Sequence, residues 1–146
     1  LELGITRYFE VALFQGFSPV ESVLAFELGL VTKKPVLVSA GMLGLQNGAK
    51  AQPFLEGGYY RGKTILIAGV QGQNSAVYGI FGAAYQATQR LLLAADYISG
   101  SPNFATLGVT YAITPNLSLN PAVYISNSTP HHAYGYAVLT WNVKAW

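Results

Sequence analysis

The sequence contains no cysteine, which excludes a disulfide scaffold and any thiolate metal or redox site. Charge is nearly as scarce. Asp, Glu, Lys and Arg make up 10% of the residues, against roughly 25% in an ordinary soluble domain. Between Asp96 and Lys144 the histidine pair is the only interruption of an uncharged stretch. A water-soluble protein of this size needs charge on its outside, so part of this surface faces something other than water. The net charge of +2 and the scattering of basic residues along the chain leave no nucleic-acid footprint. No leader-like stretch opens the chain, which starts in strand-like alternation; a leader removed, or a start part-way through a longer protein, is expected.

What is present is hydrophobic residue in quantity, 51% of the total, within one domain's length spanning 1–146. The uncharged segment Thr64–Gln89 is long enough for a transmembrane helix. The cluster Gly72, Gln73, Asn74 and Ser75 at its centre argues against one, because those residue types make hairpin turns. Two strands around a turn, Lys63–Gln71 and Ala76–Ala87, fit instead.

Period-two alternation places strands elsewhere. Leu24, Phe26, Leu28 and Leu30 oppose Ala25, Glu27 and Gly29. Ala105, Leu107, Val109, Tyr111 and Ile113 oppose Thr106, Gly108, Thr110 and Ala112. Leu117, Leu119, Val123 and Ile125 oppose Ser118, Asn120, Ala122 and Tyr124. Leu139, Trp141 and Val143 oppose Thr140, Asn142 and Lys144. Strands are predicted at 3–15, 22–32, 35–45, 52–61, 63–72, 76–87, 89–99, 103–113, 116–126 and 133–145. About ten strands in even number put both chain ends on one side of a membrane.

The connections sort by length. Gly16–Glu21, Gln46–Ala51, Gln73–Ser75, Gly100–Pro102 and Asn127–His132 alternate with tighter turns at Lys33-Lys34, Arg61-Gly62, Thr88 and Thr114-Pro115. Long loops at one end and tight turns at the other fit a membrane barrel. A sheet in hydrocarbon must also close, since every unpaired backbone group there costs several kcal/mol. Tyr8, Tyr97, Tyr111, Tyr134, Tyr136 and Trp146 near strand ends fit an interfacial aromatic girdle. The expected fold is therefore all-β: a closed, antiparallel, up-and-down transmembrane β-barrel. Its second face supplies candidate lumen-lining residues: Glu10, Glu27, Glu56, Gln71, Arg90, Asp96, Thr110 and Asn120. Arg7 falls on the apolar face and fits only by snorkelling to the interface.

The strand–turn rhythm, the segment Leu107–Leu119 (Leu-Gly-Val-Thr-Tyr-Ala-Ile-Thr-Pro-Asn-Leu-Ser-Leu) and the aromatic Trp146 resemble the bacterial outer-membrane β-barrel superfamily. That resemblance implies an outer-membrane location, a Thr-Pro-Asn periplasmic turn, contact with membrane lipids, and recognition by the outer-membrane assembly machinery through the terminal aromatic. Lys144, Asn142 and Thr140 depart from the pattern, which is apolar at those steps back from Trp146. The resemblance carries over no functional residue.

No catalytic site, cofactor or metal is expected. His131 and His132 are adjacent, so on an extended chain they point apart, with no carboxylate near in sequence. Ser128, His131 and Asp96 are the set to check for hydrolytic chemistry. Gly79 to Gly82 lacks the strand-to-helix context and the Lys-Ser/Thr of a phosphate loop. The functional expectation is a narrow porin-like channel for ions or small solutes. The alternatives are a non-conducting structural barrel, as a homo-oligomer or a subunit of an envelope complex, and a soluble lipocalin-like ligand-binding barrel.

Overall fold

The computed structural model describes residues 2–6, 8–17, 20–45 and 50–141. They form one antiparallel sheet with no helix, each strand bonded to its neighbours in chain order. The strands are β1 (Glu2–Thr6), β2 (Phe9–Phe17), β3 (Val20–Val31), β4 (Val36–Leu43), β5 (Gln52–Arg61) and β6 (Thr64–Gln73). They continue with β7 (Ala76–Gln86), β8 (Leu91–Ile98), β9 (Phe104–Thr114), β10 (Leu117–Ser126) and β11 (Ala133–Trp141).

All ten expected strands are present, but the first, 3–15, is folded back on itself as the β1–β2 hairpin, with Leu3 opposite Val11 and Gly4 opposite Glu10. The sheet therefore counts eleven strands, and Glu2 stands level with Ala12, part-way along β2. The last strand is described only to Trp141; Val143, Lys144, Asn142 and Trp146 lie outside the described residues, as does Arg7.

Turn chemistry explains the hairpins. Asn74 and Ser75 both take positive φ (51° and 68°) and close Gln73 onto Ala76, the geometry of a type I′ turn. Gly62, at φ 61°, turns Arg61 onto Thr64. Connections 32–35, 62–63, 87–90 and 115–116 lie at one end, the turn end; 18–19, 44–51, 74–75, 99–103 and 127–132 lie at the other, the loop end. The sorting by length is weaker than expected. β2 and β3 extend to Phe17 and Val20, so the connection at 18–19 is short, and Thr88 widens into a turn over 87–90. The three longest connections still share the loop end.

Cross-strand rows climb through the sheet. One row runs Glu10, Glu27, Gly41, Phe54, Gln71, Tyr78. It begins one residue inside β2 at the turn end and finishes two residues inside β7 at the loop end. Such stagger is what tilted strands require for a sheet to curl.

Among the described residues the sheet is not closed: nothing pairs β11 with β1 or β2, and β1 pairs with β2 only over Phe9–Ala12, so no described residue stands against Leu13–Phe17 on that side. On β11 both faces are exposed, whereas β5, β6 and β10 alternate.

Among the described residues no second layer covers the sheet. Ala25 is the only buried hydrophobic residue among the described ones. Large apolar side chains stand in the open instead: Leu66 at 53% exposure, Phe81 at 55%, Leu107 at 57% and Val77 at 73%. Register puts all four on one face.

Candidate functional site

The other face is the polar one, and it is the less exposed. Gln71, Thr106 and Ser126 on it are buried. Register assigns to it Glu10, Glu27, Glu56, Gln71, Asp96, Thr110 and Asn120, seven of the eight residues singled out from sequence. Arg90 does not join them. It precedes β8, exposed in turn 87–90, where Thr88 Oγ1 accepts from its backbone N–H at 3.2 Å. Predicting the strand from 89 placed it two residues too early, and the Thr88 side-chain bonds to Arg90 and Leu91 are what shape the turn.

On the first flank of this face, Glu10 stands opposite Glu27, and Ser39 opposite Glu56, which receives the Ser39 hydroxyl hydrogen bond. Glu27, Ser39 and Glu56 line a recess of about 140 Å³ with Leu37, Ile65 and Ile67. Glycine makes the room. A Cβ on Gly69 would lie 2.8 Å from Glu56 Cα, and one on Gly41 would meet the Phe26 carbonyl and the Phe54 ring. Beyond it Gln71 Nε2 donates to Gln52 Oε1 at 2.7 Å.

The second flank is built from hydroxyls and rings. Asp96 accepts from the Thr106 hydroxyl. Tyr124 stacks on Tyr136, with centroids 4.6 Å apart and planes 15° from parallel, and Phe104 leans on Tyr124 at 5.4 Å. Asn120 Nδ2 donates to Thr140 Oγ1 at 2.8 Å and to the Val138 carbonyl at 3.2 Å. A recess of about 130 Å³ opens among Asp96, Thr106, Thr110, Asn120 and Tyr136.

Tyr134 and Tyr136 therefore leave the expected girdle, since both face the polar side. Alternation carries that information: counting back by twos from Thr140 reaches both. Tyr97 and Tyr111 stand on the apolar face, and Tyr8 is exposed in the β1–β2 turn. Tyr59, Tyr85 and Trp141 join Tyr111 on the apolar face near the turn end.

Ser128, His131 and Asp96 are not assembled. The His131 Nδ1 bond goes to the Ser126 carbonyl at 2.7 Å, Ser128 Oγ meets Ser126 Oγ, and Asp96 is held by Thr106 within the sheet. The bonds at this end tie loops together: Asn127 Nδ2 donates to the Ile98 and Gly100 carbonyls at 2.8 and 2.9 Å. No group of three His, Asp or Glu fit to hold a metal occurs among the described residues.

No family model, curated protein or solved structure matches this chain. What the site does must be read from its own chemistry.

Proposed function

We propose that the protein is a bacterial outer-membrane β-barrel whose polar face lines a narrow passage for ions or small solutes. The observation that carries this reading is inverted polarity. Leucine, valine and phenylalanine stand exposed on one face, while the other gathers the acids and amides, with Glu27, Glu56, Gln71, Thr106 and Asn120 sheltered on it. Leaving such apolar side chains in water forgoes about 1.5–3 kcal/mol each. Acyl chains remove that cost, and a hydrated interior satisfies the carboxylates.

Strand lengths support the same reading, since most described strands have the nine to eleven residues that a tilted membrane strand needs. Closure belongs to the proposal: β11 pairs with the free part of the β2 edge, because open edges in hydrocarbon leave backbone groups unsatisfied. A soluble ligand-binding barrel requires the opposite facing, apolar inside and polar outside.

A second reading has its own support. The Tyr124–Tyr136 stack and the Gln52–Gln71 bond occupy the polar face, and they favour a barrel plugged by its own side chains that serves as a structural subunit.

Heat-modifiable gel mobility in detergent, paired with circular dichroism, tests the barrel. A β spectrum with a shift only on boiling is expected; a monodisperse protein in plain buffer without that shift overturns the membrane reading. Planar-bilayer recording then separates channel from plug.

A further inference from the structure

The basic residues, scattered in sequence, gather in space. Lys33, Lys34, Arg61, Lys63 and Arg90 all lie at the turn end, and all are exposed. No Asp or Glu occurs in 32–35, 61–63, 87–90 or 115–116. Lys50, by contrast, stands at the loop end before β5.

We propose that the turn end is a docking rim for anionic phospholipid headgroups, a reading that rests on the membrane assignment above. Three features favour lipid over a soluble polyanion. The first is depth. Tyr59, Tyr85, Tyr111 and Trp141 ring the apolar face just inside the turns, and such rings settle at the boundary between acyl chain and headgroup. The cations lie immediately beyond them.

The second feature is direction. Arg61 shares the apolar face with Tyr59, two residues further towards the rim, so its stem runs along apolar surface and its guanidinium reaches the phosphate level. Lys34 is the exception. Its Nζ lies 4.3 Å from the centre of the Tyr60 ring, on the polar face, and it contributes less.

The third is spacing. The basic turns are successive hairpins, two strands or about 10 Å apart, spread along a rim rather than gathered round one pocket. A compact anion meets one of them; a leaflet of headgroups meets all. Each basic residue at an anionic surface raises partition up to about fivefold, an effect that salt screens.

Spin-labelled lipids test the inference in vesicles of phosphatidylcholine mixed equally with phosphatidylglycerol. With the wild-type protein, spin-labelled phosphatidylglycerol should be motionally restricted in severalfold excess over spin-labelled phosphatidylcholine, and molar salt should abolish the excess. The combined variant Lys33→Gln, Arg61→Gln, Lys63→Gln, Arg90→Gln should lose it, while Lys50→Gln keeps it and Lys34→Gln lowers it slightly. The wild-type salt titration decides the matter if the combined variant fails to fold. Equal restriction of both lipids by incorporated wild-type protein, or an excess that survives the fourfold change, overturns the headgroup rim and leaves the membrane assignment standing. If neither label is restricted because the protein does not enter vesicles, both fall.

Discussion

The two flanks of the polar face solve the same problem differently. Around β3 to β6, carboxylates sit over glycine: Glu27 beside Gly41, and Glu56 beside Gly69. Around β8 to β11 the one carboxylate, Asp96, has similar neighbours, Gly82 on one side and the Thr106 hydroxyl on the other, but stacked rings stand beyond it. The first flank carries three acids, Glu10, Glu27 and Glu56, and the second carries Asp96 with a ring stack beside it, yet each keeps a recess, of about 140 and about 130 Å³. What differs between the flanks is the number of acids and the rings beside them, not the residue opposite each acid.

The largest effect that separates the flanks is on ion preference. Glu27→Gln with Glu56→Gln should reduce cation over anion permeability severalfold in planar bilayers, whereas Asp96→Asn should change it little. Equal effects from both would erase the distinction.

Stability should split the same way. Gly41→Ala forces a Cβ against the Phe26 carbonyl and to 2.5 Å from the Phe54 ring; a loss of about 1–3 kcal/mol in urea unfolding is expected. On β11 an added Cβ at Gly135 meets nothing within 4 Å, so Gly135→Ala should be silent in the same assay. Asn127→Ala removes two hydrogen bonds between loops and should cost about 1 kcal/mol, with faster amide exchange over 98–103. Tyr136→Leu, which keeps bulk but loses the stack on Tyr124, should cost a comparable amount, about 0.5–1.5 kcal/mol. Near-ultraviolet circular dichroism reports it.

Strands and facing were legible because alternation is a period-two signal and the apolar face repeats it strand after strand. Ala25, Glu27 and Gly29 separate from Leu24, Phe26 and Leu28 on inspection, and the register agrees. The reversal at 7–8 was not legible. It lies between Thr6 and Phe9, a stretch with no Gly, Asn or Pro, where Arg7 is the one break in the odd-numbered apolar set Leu3, Ile5, Phe9 and Val11. Because Leu3 pairs with Val11, folding the strand back keeps those residues in step. Arg7, which snorkelling also accounts for, is the pattern's single mark of the fold. Arg90 was misplaced for a related reason: Thr88-Gln89 carries no strong turn residue, and the turn is made by a hydroxyl bonding the backbone. The partnership of Tyr124 with Tyr136 needed the register of β10 on β11, which alternation alone cannot supply.

The climbing row from Glu10 to Tyr78 has a consequence for movement. Depth and position around the sheet are geared together like a screw thread, so strand neighbours never share one level for long. If this face lines a passage, as proposed, a solute handed from neighbour to neighbour rises as it turns, meeting two acids, then a glycine beside a ring, then an amide and a phenol. Shifting an acid one strand along that thread would change its height without changing the way it faces.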